Sequence, residues 1–303
     1  MTHLNLKANP PFDFYAVVKS HGWYQLAPFT WEEETQTLHV VLRLQDNFIT
    51  SVALTGEPGG VRATVPGRLT KPQEKALRAT LSWMFNLEAD YEEFYALADQ
   101  EPRLAHCRAK AYGRLLRSGS LWEDVVKVML TTNIQWAGTR RLAAQLVNYF
   151  GEPWPADPMR KAFPAPEKIA RSRESTLRKL GLGYRAPYLL KLAKGVASGV
   201  IDLLSLVDED RPTLEVRKDL LALPGIGPYA AATLLGFLGR YDFIGVDTEA
   251  VSAVSNGFFN GQPIGEKEIN AVFAKWGKYK ALAFWFWDYA GQAQAPMEAW
   301  EAR

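Results

Sequence analysis

The chain of 303 residues contains one cysteine, Cys107. A single thiol excludes a disulfide framework. It equally excludes a four-cysteine zinc or iron–sulfur site built from this chain alone. Histidine is scarce as well: His3, His21, His39 and His106 are scattered, and none is paired at metal-ligand spacing. Long apolar runs are missing, and no stretch reaches the roughly 18 residues needed to span a bilayer. The opening MTHLNLKANPPFDF lacks the basic-then-apolar order of a secretory signal. A reducing, cytoplasmic setting with no membrane is therefore expected. Strong charge of one sign is also absent: 35 Lys and Arg face 33 Asp and Glu, a net of +2.

Hydrophobic residues make up 48% of the chain and charged residues 22%, the balance of a globular protein long enough for two domains. The small net charge hides an uneven distribution. Residues 1–100 carry a net of −4, residues 101–200 a net of +11, and residues 201–303 a net of −5. A basic middle between acidic flanks is the footprint of a face that binds a polyanion. A set of solvated helix faces gives the same numbers, and charge alone does not choose.

Residues 36–54 (QTLHVVLRLQDNFITSVAL) alternate and are rich in β-formers, so they predict two strands with a turn at Asp46-Asn47. Residues 12–31 are aromatic and predict another strand. Glu57-Pro58-Gly59-Gly60 reads as a turn, Val61–Val65 as a further strand, and a helix is expected near residues 72–86. Residues 1–100 thus form a β-rich unit. Beyond it the apolar spacing is helical at Leu121–Leu130, Ala137–Phe150, Pro166–Ala170, Glu174–Leu180, Ala186–Ser198, Leu214–Leu221, Pro228–Gly239, Glu249–Asn256, Lys267–Trp276 and Tyr279–Tyr289. The proline-rich stretch Glu152–Pro166 reads as a connecting loop. The fold class is α+β, with residues 101–303 as the helical region.

The most informative segment is Leu223-Pro-Gly-Ile-Gly-Pro-Tyr-Ala-Ala-Ala-Thr-Leu-Leu-Gly-Phe-Leu-Gly239. Pro224 stops one helix, Gly225 and Gly227 permit a turn with positive φ, and Pro228 suits the first turn of the next helix. Such a hairpin bares backbone amides at a helix N-terminus, an arrangement suited to a phosphate oxygen. The carbonyls of Leu223 and Gly225 on its other side are candidates for a monovalent cation. An ordinary αα-hairpin would look the same. Twenty residues after Gly227, Asp247 follows the apolar residues Phe243, Ile244 and Val246 and opens a helix. An aspartate there serves as an N-cap. After a buried approach strand, it would also place a carboxylate on a dry cleft floor.

The hairpin LPGIGPYAAATLL and the VDT aspartate about twenty residues later together resemble the helix–hairpin–helix DNA glycosylase superfamily. Two further stretches resemble its 8-oxoguanine and AlkA-type branches: Leu180-Gly-Leu-Gly-Tyr-Arg-Ala-Pro-Tyr188 and Thr131-Thr-Asn-Ile-Gln-Trp136. The likeness covers most of residues 105–290. It implies an N-terminal antiparallel sheet followed by two helical subdomains that flank an active cleft.

By that resemblance Asp247 is the catalytic carboxylate, stabilising an oxocarbenium-like sugar as the base–sugar bond breaks. Gly225, Ile226, Gly227 and Tyr229 supply the phosphate-binding hairpin. Asn133 fills the gap left by an extruded base, while Tyr184 and Arg185 wedge the duplex and meet the unpaired partner base. A helix-terminal hydrogen bond for Asn133 and core packing for Tyr184 are the plain alternatives. Bifunctional members carry a lysine two residues after the second hairpin glycine; here that residue is Tyr229, and no lysine lies between Gly225 and Gly239. The departure points to a monofunctional enzyme that uses water. A tyrosine also suits stacking on cationic, alkylated bases. Trp136, Tyr229, Trp285 and Tyr289 are the candidate base pocket, although an aromatic stripe such as Leu282, Trp285, Phe286 and Tyr289 equally suits a core.

The expectation is a monomeric base-excision glycosylase for an alkylated purine in double-stranded DNA, nucleoid-associated if bacterial. It needs no organic cofactor, no iron–sulfur cluster and no catalytic metal. Its rivals are an oxidised-base enzyme and a catalytically silent binder of damaged DNA.

Overall fold

The computed structural model describes residues 1–291. Five strands form one antiparallel sheet in the order β1-β5-β4-β3-β2: β1 (Thr2–Lys7), β2 (Thr30–Glu32), β3 (Thr37–Arg43), β4 (Ile49–Glu57) and β5 (Gly60–Val65). Register follows the alternation, with Leu38 opposite Leu54, Val40 opposite Val52, and Leu54 opposite Ala63. One face is buried by side chains of this parity and the other is partly solvated. Asp46 and Asn47, both at positive φ, make the β3–β4 turn as expected.

The predicted strand within residues 12–31 is largely helical. Phe14–Val18 forms α1, capped by Asp13, Gly22–Gln25 is a 3-10 turn, and only Thr30–Glu32 is extended. The N-cap bond from the Ala16 amide to Asp13 Oδ1 (2.7 Å) starts the helix that the aromatic composition concealed. The sheet packs on α2 (Lys71–Phe85), which starts in a Thr70–Gln73 capping box and ends at Asn86 in the left-handed region.

The helices that follow are α3 (Glu92–Ala98), α4 (His106–Ala109), α5 (Leu121–Thr131), α6 (Trp136–Phe150), α7 (Pro166–Ala170), α8 (Glu174–Lys179), α9 (Arg185–Ala197), α10 (Thr213–Ala222), α11 (Pro228–Phe237), α12 (Thr248–Phe258), α13 (Glu266–Phe273) and α14 (Lys280–Phe286). The expected loop at 152–166 holds a small ribbon, β6 (Pro153–Trp154) with β7 (Asp157–Lys161). Two of the last helices are shorter than the periodicity implied. After Phe273 the chain tightens into a 3-10 turn broken at Gly277 (φ 54°), and α14 stops at Phe286.

Two cores hold the molecule together. One joins the sheet, α2, α5, α6, α9, α10 and α11; the other joins α3, Tyr112 and α12–α14. Helix α3, within the first hundred residues, thus packs with the C-terminal helices, and Tyr91 and Tyr241 share a hydroxyl hydrogen bond of 2.8 Å. The segment 114–118 fastens the β-rich unit to the helices. The Arg114 guanidinium donates to the carbonyls of Asn9, Pro11, Asn86 and Ala89. Nearby, Asp124 of α5 accepts from Trp23 Nε1 (2.8 Å) and the Ser118 amide (2.9 Å). Both bonds fall on Oδ1, while the buried Oδ2 has no partner among the described residues, so the cost of burying this carboxylate is only partly offset.

A candidate nucleic-acid-processing site

Helices α10 and α11 meet at Leu223–Gly227. Gly225 has φ 79°, so the chain reverses there as expected, whereas Gly227 has φ −100° and is extended. The turn therefore needs one left-handed glycine, not two. Gly227 is the N-cap of α11 and makes no side-chain cap. Among the described residues the amides of Gly225, Gly227, Tyr229 and Ala230 donate to no carbonyl. They are the bare donors of an uncapped helix start, where an anion is favoured. Of the two carbonyls proposed for a cation, that of Leu223 already accepts from Ile226 N (3.2 Å).

Asp247 caps α12, accepting at Oδ1 from the Ala250 amide (2.8 Å). It is exposed, and the dry cleft floor expected for it is not formed by the protein alone. Residues 243–246 lie outside every strand, so they bring Asp247 to a helix mouth rather than into a core. The same segment binds it to the hairpin. A Cβ built on Gly245 would lie 3.2 Å from Thr233 Oγ1 and 3.4 Å from Tyr229 Cδ2. Burial pushes the Tyr229 phenol above its ordinary pKa, and the Asp247 charge pushes it the same way; the hydroxyls of Thr131 and Thr233 pull it back. Tyr229 and Asp247 are thus electrostatic neighbours.

A second group forms around the α5–α6 connection. Asn133, at φ 49°, is exposed. Its Nδ2 donates to the Tyr184 hydroxyl (3.3 Å), and that hydroxyl in turn meets the Thr132 side chain and carbonyl, each at 3.2 Å. Tyr184 is 47% exposed, which sets aside core packing for it. Arg185 is buried, lies 4.6 Å from the Tyr184 ring, and donates to the Thr132 carbonyl. As placed, it holds the loop from below rather than reaching outward.

The candidate pocket aromatics do not all converge. Trp136 packs over Gly22 and donates from Nε1 to Gln25 (2.6 Å). Trp285, 41% exposed, donates from Nε1 to the Ser20 carbonyl (2.9 Å). Both indoles therefore grip the same N-terminal turn. Tyr289 lies beyond the end of α14 against Gly257, near the far end of α12 from Asp247, about 15 Å along the axis. The one-face stripe reaching Tyr289 does not exist, because the helix ends at Phe286.

Sequence reasoning passed over Tyr188 and the Ser20–Gln25 turn. Tyr188 stands one turn after Tyr184 on α9, is 45% exposed, and touches the hairpin at Gly225. Its spacing of four from Tyr184 was the available signal. The turn had none, since only tertiary packing brings it to Trp136 and Trp285.

Residues 126–278 match the family described as HhH-GPD superfamily base excision DNA repair protein. The chain belongs to this superfamily. It is 24% identical over 246 residues to an N-glycosylase/DNA lyase of Saccharomyces cerevisiae, covering 69% of this chain and 65% of that one. It is 25% identical over 224 residues to a DNA-3-methyladenine glycosylase of Bacillus subtilis, covering 70% and 72%. The chain thus spans a little under two thirds of the yeast relative's length. The fold is that of a 3-methyladenine DNA glycosylase from Archaeoglobus fulgidus (TM-score 0.73, 23% identity, 94% and 96% covered). It is likewise that of an 8-oxoguanine glycosylase/lyase from Clostridium acetobutylicum (TM-score 0.73, 16% identity, 96% and 99% covered). The α+β class and the N-terminal antiparallel sheet agree with the expectation for an HhH-GPD protein. Among the described residues no helix is long and apolar enough to cross a membrane.

Proposed function

We propose that this HhH-GPD protein hydrolyses the N-glycosidic bond of a damaged base in double-stranded DNA, acting as a monofunctional glycosylase on alkylated purines. The observation that carries this reading is the pairing of Asp247 with Tyr229. The carboxylate stands beside the hairpin, and the residue two positions after Gly227 is a tyrosine with no amine to attack the sugar. Base departure leaves positive charge on the deoxyribose. The C–N electron pair leaves with the base, and Asp247 stabilises the sugar's charge, orients the attacking water and takes its proton as the new C–O bond forms. Asp247 is exposed in the free protein, so the low dielectric that strengthens this interaction is completed by the inserted nucleotide.

The hairpin amides take a lesion-strand phosphate, with the Leu223 and Gly225 carbonyls turned to a monovalent cation. Asn133 and Tyr184 occupy the gap in the duplex, and Arg185 supports them through Thr132. Trp136, Tyr229 and Trp285 offer aromatic surface to the extruded base; Tyr289 stands apart from them. The reaction calls on no organic cofactor and no catalytic metal, and the protein acts as a monomer in the cytoplasm or on the nucleoid.

The Leu180–Tyr188 stretch, by its resemblance to the 8-oxoguanine branch, supports a second reading, release of an oxidised purine such as 8-oxoguanine, and the name of the yeast relative adds a lyase step to it. One assay separates the two. Duplexes carrying 1,N6-ethenoadenine, 3-methyladenine, hypoxanthine, uracil or 8-oxoguanine are incubated with the protein and read with and without alkali. Release of an alkylated base, with strand breaks only after alkali, is the expected result. Release of 8-oxoguanine with borohydride trapping favours the second reading. Tight binding with no release from any duplex makes the protein a silent binder.

A further inference from the structure

Between the N-terminal turn and helix α6 lies a cleft of about 390 Å³. Gln25, Ala27 and Phe29 form one wall, and Ala137, Arg140 and Arg141 the other. The first wall is fixed, because Gln25 accepts from Trp136 Nε1 (2.6 Å) and donates from Nε2 to the Tyr24 hydroxyl (2.9 Å). The alanines leave room for a bulky group to approach the backbone.

The charge of this cleft is uncompensated. Arg140 and Arg141 are exposed, and α6 carries no acidic residue from Trp136 to Phe150. Elsewhere, Arg43 of β3 and Lys168 of α7 share the Glu152 carboxylate at 3.9 and 3.5 Å. Arg140 and Arg141 make no such ion pair among the described residues. The N-terminus of α6 adds to the positive potential, since its cap, Gln135, makes no side-chain hydrogen bond to the first turn. Two guanidiniums and a bare helix start around one concavity suit a phosphodiester oxygen, which a forked guanidinium binds in bidentate fashion.

Contacts link the surface elements one to the next. The hairpin at Gly225 touches Tyr188, and Tyr184 on the same helix meets Thr132 and Asn133. Helix α6 begins three residues later, and Arg140 lies about 6 Å into it. The loop proposed to enter the duplex is thus joined to the hairpin through α9 and runs directly into α6, the helix that carries the two arginines.

We propose that the Arg140–Arg141 cleft binds a phosphate of the strand opposite the lesion, so that the N-terminal turn and α6 clamp the partner strand while the hairpin holds the damaged one. This rests on the glycosylase reading above and adds a second, separate contact to it. The clamp keeps the partner strand in place while its base is unpaired, which resists the duplex closing on the wedge.

The test is the affinity for a duplex bearing a tetrahydrofuran abasic analogue, measured across a salt series. Arg140→Ala with Arg141→Ala is expected to weaken binding about tenfold at 0.1 M salt, and to make the slope of log K against log salt shallower by about 0.9 for each phosphate lost. Both side chains are exposed, so the fold is expected to survive. The paired change Arg140→Lys, Arg141→Lys keeps the charge and should restore most of the slope. Uncharged methylphosphonates are then placed one at a time along each strand. A single partner-strand position should weaken the wild-type protein and leave the double-alanine variant unaffected. The proposal is overturned if the sensitive position lies on the lesion strand, or if no position distinguishes the two proteins. Gly227→Ala serves as the control for the hairpin. If it weakens binding and the arginine changes do not, only the clamp is wrong; if neither matters, the DNA reading falls with it.

Discussion

Gly225 lies against Tyr188: a Cβ placed on the glycine would come within 2.9 Å of the tyrosine Cβ. That contact joins the hairpin to the helix carrying Tyr184, so the turn proposed to bind phosphate and the proposed wedge share one support. It also gives Gly225 a different task from Gly227, two residues on.

Gly225 needs positive φ and has no space for a side chain, so Gly225→Ala should destabilise the fold by about 1–3 kcal/mol. Gly227 is extended, and a Cβ there would meet nothing within 4 Å. Gly227→Ala should leave the melting temperature nearly unchanged and weaken duplex binding, because its open side is where a phosphate is proposed to approach. Thermal melts beside DNA titrations check this; a folding defect at 227 with normal binding would count against a phosphate site.

Asp247 caps α12, and one pair of variants separates that task from the catalytic one proposed for it. Asparagine caps helices as well as aspartate but carries no charge. Asp247→Asn should therefore keep stability and lose about 100- to 1,000-fold in single-turnover base release. Asp247→Ala should lose the activity and also about 1 kcal/mol of stability. Unchanged release by the asparagine variant would refute the proposed chemistry.

Tyr229→Lys puts an amine where the wild-type protein has a phenol beside Asp247. Borohydride should trap a covalent complex between this variant and lesion DNA, and none with the wild type. Trapping of the wild type would show that a lysine elsewhere attacks the sugar.

Tyr184→Ala and Asn133→Ala should each slow release from a fully paired duplex by about tenfold and have a smaller effect on a mismatched one, where unstacking costs less. Equal losses on both substrates would mean that these residues do not fill the duplex gap.

His21 is buried and donates from Nε2 to the Leu116 carbonyl (2.7 Å); burial is the main cause that lowers its pKa from 6.5 to about 3. Above pH 6.5 the ring is neutral in both folded and unfolded chains. Below that, the unfolded chain takes up the proton and the folded one does not until about pH 3. Stability should therefore fall as pH drops through this window, by about 1.4 kcal/mol per unit from this residue. Denaturation of His21→Gln between pH 6.5 and 5 should show a flatter dependence than the wild type.

Much of this was legible in the chain, and the reasons are local. Helix starts depend on neighbouring residues, which is why Pro166–Ala170 and the Pro228 start agree between pattern and structure. The Asp46-Asn47 turn and the glycine hairpin are likewise short-range chemistry. The helix at Phe14–Val18 is missed because its aromatic composition masks the Asp13 cap, and the β6–β7 ribbon because its prolines read as a loop.

By itself, then, the sequence determined most of the longer helices, the β3–β4 hairpin, the glycine hairpin, the missing lysine and the aspartate at the head of a helix. Tertiary structure alone decided three things. It left Asp247 exposed, buried Arg185 beneath Tyr184, and brought the Ser20–Gln25 turn against Trp136 and Trp285. The physical reason is the range of the interactions. Caps, turns and periodicity act within a few residues, whereas exposure and the partners of an indole or guanidinium depend on segments more than fifty residues away, brought together only when the cores pack.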